Sequence, residues 1–399
     1  MNLFIYALFT LLTQADPFPR PTTFVVVNSS GRHRDIQLFH ARRGAQKWLT
    51  ATAAEETALV CLKKRVFFVA GEQVMSVDLD RPRQETSHGV LPKDLVSAMG
   101  GHLRHFLRPS PDGAFLAWPG ASDIVVRGVS GAPFSKNITP DPGARVVHPV
   151  FWRPGTPTTE VAYLTQNAAG TVWLHFHPLA LLQPRLTLTV ASGTKGAVSA
   201  FDLHFSRDGK LAALNLDVAT DARRTVRYFL VVDVETGNLH TLNPAWKLEK
   251  FHGFSPKGEL VLTGRIAAQT ALYYWNPANP RNPHLVEALL KREVYDYFSN
   301  MEITLLHTSG QKCTDRARLI SLTRHAQDRR LLKWAEWAEV VALDSSRVWG
   351  LFRAGGTCTD ARPAIYLMKM DGSGLLDELP RAKFGVLQSA DPEQVSICD

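Results

Sequence analysis

The chain has 399 residues, 45 Lys and Arg against 37 Asp and Glu, and a formal net charge of +8. With 45% hydrophobic and 21% charged residues, it has ample material for a core, which excludes an intrinsically disordered chain. The basic pairs are scattered (Arg42-Arg43, Lys63-Lys64-Arg65, Arg223-Arg224, Arg329-Arg330), with no nucleic-acid motif beside them, so the charge points to acidic partners rather than to DNA or RNA.

The first element is an apolar run, Leu3 to Leu12, broken only by Thr10. It is too short to span a bilayer. With small residues at Thr13 and Ala15 and a Pro-rich break at Asp16–Pro19, residues 1–15 read as a secretory signal peptide, although Met1-Asn2 supplies no basic residue. The alternative is a buried first strand or short helix. The reading expects a periplasmic or secreted protein in which 16–399 form one domain without a transmembrane segment. Asn28-Ser29-Ser30 and Asn137-Ile138-Thr139 are glycosylation sequons, relevant only in a eukaryotic secretory pathway.

From there the sequence is a succession of apolar strands, and one pattern recurs. Ser110-Pro111-Asp112-Gly113 leads into Ala114–Trp118, Ser206-Arg207-Asp208-Gly209 into Lys210–Leu214, and Ser255-Pro256-Lys257-Gly258 into Glu259–Leu262; Phe151–Gly155 is a weaker copy. Pro fixes φ early in such a turn, Asp bonds the backbone two residues on, and Gly accepts positive φ. A second hairpin follows in most copies, as in Tyr228–Val234 with its turn at Glu235–Asn238, and in Ala364–Met370 with its turn at Asp371–Gly374. Each unit therefore has four strands over roughly 40–45 residues, the size of a propeller blade.

Units fall near 22–50, 56–88, 103–138, 147–190, 200–243, 250–288, 294–332 and 337–380. The expected fold is all-β: a β-propeller of four-stranded antiparallel blades, eight by this count. Degenerate stretches at 22–88 and 294–345 leave six or seven open. The first unit lacks its inner strand, and Phe384–Leu387 near the C-terminus is expected to supply it and close the ring, removing the sheet edges. Leu331–Val340 reads as a helix between blades, with Leu331, Leu332, Trp334, Trp337 and Val340 near one face.

The Ser-Pro-Asp-Gly turn with its apolar strand, and Ile365-Tyr366-Leu367-Met368-Lys369-Met370-Asp371-Gly372, resemble the repeat of TolB-type, WD-repeat-like propellers. They are also similar to propeller domains attached to prolyl-peptidase-like hydrolases. The resemblance covers residues 100–290 best and 337–380 less closely. It implies a propeller that contacts cell-envelope proteins. The small α/β domain preceding the TolB propeller is not found; the residues before 100 read as further strands.

No G-x-S-x-G elbow, P-loop or H-E-x-x-H pattern occurs, so no catalytic residue is assigned and no cofactor is expected. His175 and His177 share a strand face but lack an evident third ligand, and read as ordinary strand residues; no metal site is assigned. Of the four cysteines, Cys313 and Cys358 share a Cys-Thr-Asp context and are the expected disulfide, with four free buried thiols as the alternative. Counting five residues back from each turn aligns His105, His148, Phe201 and Lys250, with Arg104 and Glu249 one residue earlier. These positions are expected to ring the mouth of the central channel, where Arg104, His105, His148 and Lys250 suit a carboxylate or an acidic peptide; the alternative is a solvated, water-filled entrance that holds no ligand. The functional expectation is a monomeric, non-catalytic, exported scaffold for a cell-envelope protein or acidic envelope polymer. The alternatives are an enzyme or a small-ligand sensor with its site at the same mouth.

Overall fold

The computed structural model describes residues 23–398 except 30–33, 52–53, 63, 94–95, 97–105, 121–122, 130–133, 139–142, 156–158, 194–195, 222–223, 241, 256, 267–268, 280–282, 289–291, 299–302, 309–318, 325–326, 331–336, 344–348, 356–362, 370–375, 385–386 and 388–393. The described strands form eight four-stranded antiparallel sheets, the blades of a β-propeller. Blade 2 runs from Glu56–Leu62 to Arg81–Val90, blade 3 from Arg108–Pro109 to Ser135–Ile138, and blade 4 from Ala144–Arg153 to Leu186–Ala191. Blade 5 runs from Ala197–Phe205 to Leu239–His240, blade 6 from Lys247–Phe254 to His284–Ala288, blade 7 from Arg292–Phe298 to Gln327–Arg330, and blade 8 from Trp337–Leu343 to Leu376–Leu379. The first strand of each is innermost: those of blades 3, 4, 5, 6 and 7 touch in succession around the ring.

The recurrent turn is held together by its serine as much as by its glycine. Ser206 is buried; its hydroxyl donates to Asp208 Oδ1 at 2.7 Å and accepts from Leu211 N at 2.9 Å. Ser110 repeats the arrangement, accepting from Phe115 N at 2.9 Å while Asp112 Oδ1 accepts from Ala114 N at 3.0 Å. Gly209 needs both its positive φ of 69° and its missing side chain, because a Cβ there would sit 2.1 Å from the Pro154 carbonyl oxygen of blade 4.

Blade 1 takes three strands from the N-terminal part, Thr23–Ser29, Arg34–His40 and Gly44–Trp48, and its inner strand from the far end of the chain. That strand is Val395–Cys398, pairing Thr23↔Cys398 through Val26↔Val395. Closure by a C-terminal strand matches the sequence expectation, but the segment differs. Phe384 ends a short helix, Arg381–Phe384, and its ring is buried against Phe24 and Phe39. Phe384 and Leu387 are buried in the core shared by blades 1 and 8, whereas Val395-Ser396-Ile397-Cys398 is buried throughout and matches the β-rich edge it completes. The helix expected over Leu331–Val340 is also corrected: Trp337–Leu343 is the inner strand of blade 8, paired with Trp349–Gly355, and 331–336 lie outside the described residues. A short apolar run does not distinguish the two periods, and pairing with a wholly buried neighbouring strand decides it.

Cys61, on the inner strand of blade 2, is bonded to Cys398 on the closing strand. Both cysteines are buried, and Cys61 N donates to Ser396 Oγ at 3.0 Å. The free-thiol alternative is thereby overturned for this pair. Cys313 and Cys358 lie outside the described residues, as do residues 1–15.

Candidate functional site

Neighbouring blades are tied through their inner strands by side chains that bond backbone. Asn215, on the second strand of blade 5, accepts from Phe251 N at 2.8 Å and donates to Phe251 O at 2.9 Å on the inner strand of blade 6. Gln166 of blade 4 does the same for blade 5, donating to Gly196 O at 2.7 Å and accepting from Val198 N at 3.2 Å. These clamps fix the inner strand of one blade against its neighbour.

A charged cluster forms where blades 3, 5 and 6 present these strands. His204 Nε2 lies 3.1 Å from Asp202 Oδ2. Asp202 is enclosed by neighbouring strands, yet 45% of its side-chain surface stays accessible. Burial alone would raise the Asp202 carboxyl, but His204, Arg108 and Lys250 outweigh it and hold it well below the ordinary carboxylate range. Arg108 lies over the Phe151 ring at 5.2 Å, and Phe151 meets Phe201 edge-on at 5.4 Å within the buried core between blades 4 and 5.

His252, on the inner strand of blade 6, is buried beside Lys250, with its Nε2 3.1 Å from Thr263 Oγ1. Burial, then the charges of Lys250 and His204, push it down to about 3, against a smaller upward pull from Asp202. Its folded pKa thus lies below its unfolded value of about 6.5. Between those limits the unfolded chain binds the extra proton, so this contribution to stability is complete above pH 6.5 and is lost as pH falls toward 3, with a slope of about 1.4 kcal/mol per pH unit. His252→Gln should flatten the dependence of unfolding free energy on pH between 6 and 4, as followed by urea denaturation; an unchanged slope would show that His252 does not titrate in this way.

The residues expected at the channel mouth divide. His148 lies on the inner strand of blade 4, half-buried and edge-on to Phe106 at 6.1 Å. Lys250 lies on the inner strand of blade 6 and is exposed. Arg104 and His105 are outside the described residues. The count back from the turns assumed unbroken strands, but blade 6 carries a bulge between Phe251 and Gly253. Lys250↔Thr263 is the third pair from Phe254↔Leu260 along the blade 6 ladder when the bulged His252 is passed over, and Asp202↔Asn215 is likewise third from Phe205↔Ala212 in blade 5. The bulge brings Lys250 level with Asp202 rather than with Phe201. Arg108, Asp202, His204 and His252 were not singled out in the sequence; the i, i+2 pairs Asp202/His204 and Lys250/His252 on inner strands were the available signal.

His175 and His177 are buried strand residues, as read. His175 Nε2 and Nδ1 face Thr165 Oγ1 at 2.7 Å and Thr187 Oγ1 at 3.0 Å, and His177 Nε2 faces Leu181 O at 3.0 Å.

No protein-family model matches the chain, and no curated protein matches it. Solved structures are similar to it in fold. Prolyl oligopeptidase B from Galerina marginata is 12% identical over 82% of this chain and 50% of that one, with a TM-score of 0.51. Dihydro-heme d1 dehydrogenase NirN, in complex with DHE, is 14% identical over 91% of this chain and 74% of that one, with a TM-score of 0.48. The chain spans about half the length of the prolyl oligopeptidase, and at this identity the likeness concerns the propeller fold alone. No helix among the described residues is long and apolar enough to cross a membrane.

Proposed function

We propose that this chain is a TolB-like binding propeller, exported and monomeric, whose basic channel mouth receives an acidic segment of a cell-envelope protein without turning it over. The observation that carries the reading is the inner-strand cluster in which Arg108, Lys250 and His204 together hold Asp202 well below its ordinary range. One carboxylate already stabilised there by three cationic or protonatable groups indicates a place where a partner's carboxylates find the same field. The Cys61–Cys398 bond is compatible with an oxidising compartment and so supports export.

The test is capture from the native cell envelope with tagged protein carrying His105→Ala, His148→Ala and Lys250→Ala together. Capture of the partner should fall by about tenfold or more, the loss of roughly 1.4 kcal/mol, and Lys250→Ala alone should leave the melting temperature close to that of the parent because Lys250 is exposed. Undiminished capture would discard the channel mouth as the site.

A further inference from the structure

Blades 2 and 3 meet in an apolar core that includes Phe67, Val74, Trp118 and Val125. The same interface also carries charge. Arg65 opens the second strand of blade 2, Arg65–Ala70, and His88 lies on its fourth, Arg81–Val90. Arg127 lies on the third strand of blade 3, Ile124–Gly128. Alternation along each strand puts Arg65 on the face of Phe67 and Arg127 on the face of Val125. His88 is held from its own blade: its Nε2 lies 2.7 Å from the Oγ of buried Ser76, and its ring centre lies 5.4 Å from that of Phe67.

Both guanidinium groups are positioned without being neutralised. Arg65 Nη1 donates across the interface to Val129 O at 3.3 Å. Arg127 sits over the Trp118 ring at 5.7 Å, and its Nη1 donates to Val126 O at 3.0 Å and Asn137 Oδ1 at 3.2 Å. These acceptors are uncharged, and among the described residues neither arginine forms an ion pair. A guanidinium has five N–H donors, so Nε and Nη2 of each are open to a further acceptor. Asp123 pulls on Arg127 only at a distance, and Asp78, opposite Arg65 on the ladder, accepts from Asp80 N at 2.8 Å. Burial, then the charges of Arg65 and Arg127, push the His88 pKa down, so both positive charges act on one imidazole.

Trp118 adds an independent observation. It is wholly buried, yet among the described residues its Nε1–H has no hydrogen-bond partner, which folded interiors seldom leave so. The indole edge that carries this group faces Gly89, the neighbour of His88: a Cβ there would stand 4.0 Å from Cζ2, which is one carbon removed from Nε1. The φ of 136° at Gly89 favours glycine, and no side chain fills the space beside the indole edge.

We propose that this interface binds a divalent tetrahedral oxyanion, phosphate or a phosphoryl group, which accepts from Arg65, Arg127 and the Trp118 Nε1–H beside His88. Two guanidinium charges match the charge of the dianion, and their planar forks pair with its oxygens. The indole N–H gives a third donor from a different direction. The site is separate from the cluster around Asp202 and does not rest on the channel-mouth reading.

The test is isothermal titration of the full chain with inorganic phosphate at low ionic strength, with the indole N–H resonances followed by NMR and Trp118→Phe identifying the one concerned. Phosphate should bind with a Kd on the order of 1 mM or tighter and shift the Trp118 resonance. Arg65→Gln and Arg127→Gln keep a donor for the neighbouring carbonyl but should each weaken binding about tenfold or more. Lys250→Ala should leave it within about twofold, so that failure here is separable from failure at the channel. Tighter binding of glycerol 3-phosphate than of phosphate would assign the site to the phosphoryl group of a larger molecule, and weaker binding to the free ion. No binding by the parent chain, an unmoved Trp118 resonance, affinity no greater than for acetate, or binding that both arginine variants leave intact would overturn the proposal.

Discussion

Glu160→Ala should lower the unfolding free energy by about 3–5 kcal/mol, the range for removing one partner of a buried ion pair. Glu160 lies at the interface of blades 4 and 5, and its side chain and that of Arg153 are only 2% and 4% exposed. Arg153 Nη1 meets Glu160 Oε2 at 2.9 Å, Arg185 Nε meets Oε1 at 3.1 Å, and Arg153 Nε donates to Gly209 O at 2.7 Å across the blade boundary. Burial would lower the Arg153 pKa, but Glu235 and Glu160 outweigh it, so the guanidinium remains charged. Deleting Glu160 leaves that charge in the interface with Glu235, which is 55% exposed, as its one remaining carboxylate partner among the described residues. Glu235→Ala should cost under about 1 kcal/mol, because an exposed partner is screened by water and Arg153 keeps Glu160. Equal effects of the two substitutions in guanidinium denaturation would contradict this assignment.

Opening the Cys61–Cys398 bond should cost about 2–5 kcal/mol, whether by reductant or by Cys61→Ser with Cys398→Ser. The bond joins residues 337 apart in sequence, so it restricts the unfolded chain strongly. It also pins the strand that completes blade 1 to the inner strand of blade 2, and in the double variant Val395–Cys398 is held by Thr23–Val26 and packing alone. Calorimetry with and without reductant measures the effect. A reduced protein melting at the parent temperature would show that strand pairing alone closes the ring.

The turns made the fold legible. Ser-x-Asp-Gly with apolar flanks is local chemistry, and the spacing of this turn and its variants placed the blade boundaries within a few residues of Ala144, Ala197 and Lys247. What depends on distant packing was not legible. The buried hydroxyls of Ser110 and Ser206 carry their turns, but a serine in a turn does not announce that it is buried. Cys61 and Cys398 share no local context, and only ring closure brings them together. The cluster around Asp202 draws on strands of three blades, and the bulge at His252 changes which residues stand level, a shift that counting along the chain does not register.

The most direct test of the central claim is affinity capture from the native cell envelope at low and high salt, with the captured proteins identified by mass spectrometry. The proposed binding propeller predicts a specific protein partner retained at high salt. Recovery of nothing but salt-sensitive acidic material, or of no protein at all, would contradict it.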